Sequence, residues 1–302
     1  MQESELHSHI FREARDLSRL FPRVERGPGD DCAVLRVGSE LLLATVDHLI
    51  EHRHFQTGTP IDAVARKAIA RSVSDIAAMA GAPIGTLVAA ALPHGYPQRD
   101  AEALYDRLAY WGRHFACPLV GGDAATFGQG DAAGPLSLAV TVLGVAHGVR
   151  GPVLRSGAVA GDGVYVTGRL GGSLASGRHV SFEPRTREAT WLADTLGARL
   201  HAMMDLSDGL GRDAGRMAAA SAARIELREA ALPINDGCGA FGALSDGEDY
   251  ELLFTAAAPV PEQCPGGVSI ARVGEVVAGA GCVVFPVRGE AFDVSSLGWE
   301  HQ

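Results

Sequence analysis

Hydrophobic and polar residues follow a helical period most clearly between residues 61 and 77. The apolar residues that recur there at i, i+3 and i+4 spacing are Ile61, Val64, Ala65, Ala68, Ile69, Ile76 and Ala77. Thr59-Pro60 before this run is typical of a helix start, and Gly81 and Pro83 are typical of a stop. A second helical pattern covers residues 98–115. The first half of the chain is therefore predicted to contain two long helices.

Shorter apolar runs rich in Val, Ile and Leu separate these patterns and predict strands. In the first half these runs occupy residues 32–37, 41–46, 84–91, 119–120 and 136–145. In the second half they occupy residues 164–166, 225–227, 251–255, 269–276 and 282–285. Further amphipathic patterns predict helices at 5–20, at 186–199 and from Leu210 onward, and the small polar residues of 124–134 predict a loose loop.

The stretch 148–163 is rich in Gly and Arg and predicts a junction between two domains. We expect an N-terminal domain of residues 1–147 and a C-terminal domain of residues 148–302. Because strands and helices are mixed in both halves, the fold class is predicted to be α/β (α+β).

Composition narrows the function. The 26 Lys and Arg against 36 Asp and Glu give a formal net charge of −10, and without a basic tract we expect no nucleic-acid partner. The five Cys are odd in number and never in C-x-x-C spacing, which favours free thiols in a reducing cytoplasm. The N-terminus is acidic and no apolar run approaches the roughly 20 residues of a membrane span, so we expect no membrane association.

Aspartates recur where predicted strands or turns end: Asp30, Asp31, Asp47, Asp123, Asp205 and Asp208. Asp75 lies inside the apolar pattern of 61–77, where the alternative interpretation is a surface acid. For Asp30 and Asp31 the alternative is a solvated turn. Carboxylates that converge from several elements suit Mg²⁺, which binds a few carboxylates together with substrate phosphates. The residues alone therefore suggest a metal-dependent phosphate enzyme.

Other chemistries receive less support. The chain contains neither a G-x-x-x-x-G-K-[ST] loop nor a G-x-S-x-G elbow. One G-x-G-x-x-G match, at 237–242, follows no buried strand and opens no periodic helix, which argues against dinucleotide binding. His48, His52 and His54 share one loop, but without Cys at ligand spacing a zinc site is disfavoured. The acidic segment 245–251 is either a charged turn or a loop that presents Glu248 or Asp249 to a cationic ligand.

In their order along the chain these motifs resemble the thiamine-monophosphate kinase family, within the aminoimidazole ribonucleotide synthetase-like superfamily. The matching segments are residues 29–35, 45–47, 54–55, 67–68, 74–79, 121–123, 155–158, 161–162, 165–168, 205–210 and 247–255. They cover nearly the whole chain, and the last of them is the most specific to this kinase.

The resemblance implies transfer of the γ-phosphoryl group of ATP to thiamine monophosphate, giving thiamine diphosphate and ADP by direct in-line attack. No residue is expected as a nucleophile. The implied ligands of several Mg²⁺ ions are Asp31, Thr45, Asp47, Asp75, Asp123, Asp205 and Asp208. The implied contacts to ATP are Gly122, Asp123, Arg155 and Ser207, and those to thiamine monophosphate are His54, Glu248 and Trp299.

The implied fold has two α/β domains: an N-terminal mixed sheet that forms a barrel across a homodimer, and a C-terminal α/β sandwich. ATP and metal would lie between the domains, partly against the neighbouring subunit.

The chain departs from the family pattern at Val46, which replaces a Thr, at Ser72, which replaces an Asn, at Ala124-Ala125-Thr126 and at Asp246, which replaces a Gly. These departures leave the metal count and the acceptor open. One alternative is another ATP-dependent enzyme of the superfamily, disfavoured because the first Cys is Cys32 and the chain ends without Cys. The second alternative is a degenerate paralogue that binds nucleotide without turnover.

Overall fold

The structure is a computed structural model, and it describes residues 3–128 and 134–299. Its α-helices are α1 Glu3–Glu13, α2 Leu17–Leu20, α3 Ile61–Ala78, α4 Gln98–His114, α5 Ser173–Ser176, α6 Thr186–Leu196, α7 Leu210–Ala220 and α8 Ala240–Ser245. Short 3₁₀-helices cover Arg178–Val180, Gly197–Arg199 and Glu229–Ala231.

The first half of the described chain forms one mixed sheet. Its strands are β1 Val24–Arg26, β2 Ala33–Val37, β3 Glu40–Ile50, β4 Ala82–Leu92, β5 Leu119–Thr126 and β6 Ser137–Val145. They lie in the order β1-β2-β3-β6-β4-β5, and β5 pairs in parallel with β4 at one edge. The other neighbouring pairs are antiparallel.

The second half forms a second mixed sheet. Its strands are β7 Gly163–Thr167, β8 Leu200–Asp205, β9 Arg224–Arg228, β10 Leu252–Ala256, β11 Ile270–Val277, β12 Gly281–Phe285 and β13 Phe292–Asp293. They lie in the order β13-β12-β9-β11-β7-β10-β8, with β9 and β12 parallel. Strands β7 and β10 are buried along their whole length, because helices cover both faces of this sheet.

Helix α3 lies between the two halves. It contacts β3 and β6 of the first sheet and also β8 and α6 of the second half. Its apolar positions fill the first core, which explains the strong helical period of the sequence. Unusually for a core helix, it also buries Lys67, Ser72 and Ser74. These buried polar side chains indicate that α3 has a role beyond filling the core.

The first sheet has two unlike faces. Residues of β3 alternate, so that Leu43, Thr45 and Leu49 are buried under α3 while Val46 is 63% exposed. We call the side that carries Val46 the outer face. Large apolar side chains on or beside it are Val46, Ile84, Leu87 and Val120. Within the described residues no helix packs over them.

Most predicted elements are confirmed, but strands β1 and β13 and helix α5 were not predicted, and three predicted segments differ. The helix predicted at 5–20 is divided into α1 and α2. Strand β5 extends to Thr126, through the start of the predicted loop, because β4 supplies pairing partners as far as Leu92. The rest of that loop, 129–133, lies outside the described residues. Helix α8 begins at Ala240, inside the G-x-G-x-x-G match, where no helix was predicted.

The domain boundary between residues 147 and 148 stays a prediction. It falls between the end of β6 at Val145 and the start of β7 at Gly163. Among the described helices, none combines the length and the apolar character needed to cross a bilayer.

Candidate active site

Three of the aspartates predicted as metal ligands lie together. Asp31 comes from the turn before β2, Asp75 from α3 and Asp205 from the end of β8. Each offers one carboxylate oxygen, and these oxygens lie within 4.8 Å of one another. The Thr45 hydroxyl donates to Asp75 at 2.5 Å, and the Ser74 hydroxyl donates to Asp205 at 2.6 Å. We call Asp31, Asp75 and Asp205 the carboxylate cluster.

The electrostatics of the cluster favour a bound cation. Burial raises the pKa of Asp75 well above its ordinary value, and the charges of Asp47, Asp205 and Asp31 raise it further. Burial and the charge of Asp31 raise the pKa of Asp205 in the same way. The Oδ2 atom of Asp31 is buried without a hydrogen-bond partner. The possible metal ligands are all carboxylate oxygens, and their negative charges repel one another. The cluster therefore fits a hard divalent cation such as Mg²⁺.

The adjacent Asp30 and Asp31 differ in their contacts. Asp30 Oδ1 accepts the backbone N–H groups of Asp31 at 3.2 Å and of Arg155 at 3.1 Å. The Arg155 guanidinium donates to Asp31 Oδ1 at 2.6 Å. Burial, with the charge of Asp31, raises the pKa of Asp30 to about 6. Asp30 therefore shapes the turn and ties it to residue 155, whereas Asp31 keeps one oxygen for a ligand.

A pocket of about 210 Å³ opens beside the cluster. The predicted site residues that line it are Asp47, His54, Ser207, Asp208, Glu248 and Trp299. Asp47 links the two features, because it lines the pocket and its charge raises the pKa of Asp75. Its Oδ2 atom accepts the Ser72 hydroxyl at 2.9 Å, which holds the carboxylate on the side of α3.

One end of the pocket is aromatic. The backbone N–H of Trp299 donates to the carbonyl of Asp208 at 2.9 Å, which places the indole at the rim. The guanidinium of Arg53 lies 5.4 Å from the centre of the Trp299 ring, a distance at which an aromatic ring attracts a cation. His54 Nδ1 accepts the backbone N–H of Ile50 at 2.9 Å, which leaves the proton of the neutral ring on Nε2.

The acidic residues before β10 point to different places and make different contacts. Glu248 lines the pocket and pairs with Lys67, whose Nζ lies 2.7 Å from Glu248 Oε2. Asp249 points away, accepting the backbone N–H of Gly171 at 3.0 Å, and burial raises its pKa to about 6. Glu248 and Tyr250 both have positive φ, at 53° and 51°. Such left-handed backbone is strained for these residue types and persists because the surrounding contacts hold it.

Asp208 is held from the second half alone. Its carboxylate accepts a hydrogen bond from Arg216 Nη1, which also donates to Asp213 at 3.1 Å. Burial, followed by the charge of Asp208, raises the pKa of Asp213 to about 7. A single guanidinium therefore serves two carboxylates at this rim of the pocket.

Gly122 and Asp123 are not brought to the cluster within one copy of the chain. Asp123 pairs with Ala89 on the outer face, about three strand spacings of 4.8 Å from β3. The cause is a bulge at Val120, because Thr86 pairs with Leu119 but Leu87 already pairs with Gly121. Gly122 must be glycine here, since a Cβ would lie 2.0 Å from the Val88 carbonyl oxygen.

Sequence reasoning assigned no role in the site to Lys67, Arg71 or Arg216. Lys67 and Arg71 lie eight and four residues before the predicted ligand Asp75, on one polar stripe of α3. Arg71 lines the pocket, Asp75 belongs to the carboxylate cluster, and Lys67 pairs with Glu248. The sequence did contain a usable signal for them, namely polar residues repeated every four positions inside an otherwise apolar helix. Arg216, which donates hydrogen bonds to Asp208 and Asp213, left no comparable pattern in the sequence.

The chain is similar to known kinases over nearly its full length. The family described as AIR synthase related protein, N-terminal domain, matches residues 29–146. A thiamine-monophosphate kinase of Rhodopirellula baltica is 36% identical over 289 residues, covering 88% of each chain. The thiamine-monophosphate kinase of Escherichia coli K12 is 32% identical and covers 94% of this chain and 96% of its own.

Solved structures agree with the sequence relatives. A structure described as AaThiL complexed with AMPPCP and TMP superposes with a TM-score of 0.80 at 28% identity, covering 100% of this chain and 99% of that one. The predicted superfamily fold, with two mixed α/β sheets, is thereby confirmed for the single chain. With relatives above 30% identity that span most of both chains, this chain belongs to the thiamine-monophosphate kinase family.

Proposed function

We propose that this chain transfers the γ-phosphoryl group of ATP to the phosphate of thiamine monophosphate, giving thiamine diphosphate and ADP. The observation that carries the proposal is the joint placement of the buried carboxylate cluster and the adjoining pocket, with Asp47 between them. A site that joins two phosphate groups needs concentrated positive charge, and the cluster fits bound Mg²⁺. The kinases that resemble the chain support the same reaction.

The carboxylates would hold the metal. We assign this role to Asp31, Asp75 and Asp205, with Thr45 as support and with Asp47 and Asp208 at the pocket side. Bound Mg²⁺ would neutralise the phosphate oxygens of both substrates and so favour attack by the acceptor phosphate. No side chain is needed as a nucleophile, because phosphoryl transfer can rely on positioning and charge neutralisation.

The pocket would bind the acceptor. Trp299 offers an aromatic face and Glu248 a negative charge, which together suit the cationic thiazolium ring of thiamine. The guanidinium groups of Arg53 and Arg71 line the same pocket and suit the phosphate of the acceptor. His54 would contribute its Nε2 proton as a hydrogen-bond donor.

The first experiment is the reaction itself. Purified protein with MgATP and thiamine monophosphate should give thiamine diphosphate and ADP in equal amounts, measured by chromatography of both products. Free thiamine serves as the control acceptor, because it lacks the phosphate that attacks. ATP binding without either product would contradict the proposal and support the degenerate paralogue. Against that alternative, Val46 lies on the outer face, so its replacement of Thr leaves the Thr45–Asp75 hydrogen bond intact.

We also infer a homodimer formed through the outer face. Val46, Ile84, Leu87 and Val120 expose between 39% and 64% of their surface there, an apolar patch of the kind that marks interfaces. Asp123 lies on the same face, so its predicted role at the metal and at ATP requires a second copy of the chain. The cytoplasm remains our expected location, and it rests on the five free cysteines.

A charge on the outer face is expected to separate the dimer. Leu87→Glu would place a carboxylate against the apolar patch of the partner. Burying this unpaired charge is unfavourable, so the free energy of dimerisation should become much weaker. Sedimentation at micromolar concentration should show a dimer for the wild type and a monomer for the variant. Val149→Glu is the matched control, because Val149 is 95% exposed in the turn after β6 and not on a strand of the outer face, and it should remain dimeric. A Leu87→Glu dimer would argue against this interface.

A further inference from the structure

Lys67 is the largest fully buried charged side chain of the described residues, with no exposed surface. Its Nζ atom donates to the backbone carbonyl of His54 at 2.8 Å. It also lies 2.8 Å from Glu248 Oε1 and 2.7 Å from Glu248 Oε2. An ammonium group has three N–H donors, so these three oxygens account for all of them. Burying such a charge is costly, and a fully hydrogen-bonded arrangement offsets that cost.

These contacts join the two sides of the pocket. His54 follows β3 of the first half, and Glu248 precedes β10 of the second half. Lys67 lies behind both residues, on α3, and does not line the pocket itself. A ligand in the pocket would therefore contact Glu248 and not Lys67. Lys67 therefore supports a residue of the binding surface from behind and does not itself touch the ligand.

We propose that Lys67 is a positioning residue for the acceptor: it fixes the Glu248 carboxylate relative to the turn of His54, so that the pocket is preset for a cationic ring that carries a phosphate. This inference rests on the proposed function. Glu248 sits on strained, left-handed backbone, which a bidentate contact can hold in place. A carboxylate that is already fixed loses less conformational freedom when the ligand binds.

The test is a set of variants read by steady-state kinetics. Lys67→Met should raise KM for thiamine monophosphate by roughly 10-fold or more while kcat and KM for ATP stay within about threefold, because a preset pocket mainly affects acceptor binding. Lys67→Arg should lie between Lys67→Met and the wild type. The matched control is Arg66→Met, since Arg66 is the neighbouring residue of α3 and pairs with Glu183 outside the pocket. It should leave both KM values unchanged.

The double variant separates positioning from general support of the fold. If Lys67 acts through Glu248, Lys67→Met combined with Glu248→Gln should raise KM for the acceptor no more than Glu248→Gln alone. Multiplicative effects, or a folded Lys67→Met variant with unchanged acceptor KM, would overturn the proposal. If Lys67→Met fails to fold, the double variant compared with Glu248→Gln alone still decides the question, because it removes both members of the ion pair together.

Failure of the proposed reaction would be seen separately. Calorimetry without ATP measures the affinity for thiamine monophosphate directly, and Lys67→Met should weaken it by the same factor as KM. A wild type that binds this acceptor without making product would sink the kinase proposal and leave the Lys67 comparison decisive. A wild type that neither binds this acceptor nor makes product would overturn both.

Discussion

Replacing Asp75 by Asn is expected to abolish turnover and to stabilise the metal-free protein. Asn keeps the size of the side chain and can still accept the hydroxyl of Thr45. It removes one charge from a buried set whose members raise one another's pKa, so the metal-free fold loses repulsion. It also removes an anionic ligand, and we expect kcat to fall by about 1000-fold or more, since metal-assisted charge neutralisation carries this kind of reaction.

The two effects are measured separately. Product formation with saturating MgATP and thiamine monophosphate gives kcat, and calorimetric unfolding in EDTA gives the melting temperature. Asp62→Asn is the matched control, because Asp62 lies on the same helix but contacts Arg107 and Trp111 at the surface. It should leave turnover unchanged and should not raise the melting temperature. An Asp75→Asn variant that retains wild-type kcat would remove Asp75 from the site.

Metal removal is expected to abolish turnover and to make stability depend steeply on pH. Burial raises the pKa of Asp75 and Asp205 well above the ordinary value, and that of Asp30 to about 6. The folded chain therefore holds protons that the unfolded chain has released, and stability falls as pH rises toward 8. Each extra bound proton changes the free energy of unfolding by about 1.4 kcal/mol per pH unit.

The measurement is the melting temperature at pH 6 and pH 8, with EDTA and with Mg²⁺. In EDTA the protein should melt several degrees higher at pH 6. With Mg²⁺ the value at pH 8 should rise and the difference should shrink, because the metal takes the place of the protons. In EDTA, Asp75→Asn should show a weaker pH dependence than the wild type. A wild type whose stability in EDTA rises between pH 6 and pH 8 would contradict the assigned pKa directions.

The sequence predicted the centre of the site better than its surroundings. Asp31, Asp75 and Asp205 could be found because a carboxylate inside or beside an apolar run is conspicuous. The residues alone left the choice between Glu248 and Asp249 open, because it depends on left-handed backbone at Glu248 that the residue type does not predict, and only the family resemblance selected Glu248. Lys67 was seen only as part of a motif, although its spacing to Asp75 carried usable information.

Asp123 shows that a single inserted residue can make a prediction from the strand pattern wrong. Without the bulge at Val120, Asp123 would face the same side as Thr86 and so the side of α3. The single extra residue reverses every side chain that follows it in β5. The glycines Gly121 and Gly122 are compatible with a bulge but do not fix where the extra residue lies, so the face of Asp123 could be learned only from the paired strands. Long elements such as α3 and β6 were predicted well because their period continues over many residues.

The position of α3 between the sheets limits how this family can exchange parts. Lys67 and Ser74 belong to the first half, but the carboxylates that they hold, Glu248 and Asp205, belong to the second. A chimera that joined the first half of this chain to the second half of a distant relative would have to match these buried pairs. A mismatch would leave an unpaired charge inside the protein, which costs several kcal/mol. Inheritance of the two halves is thus tied together by a few hydrogen bonds along one helix.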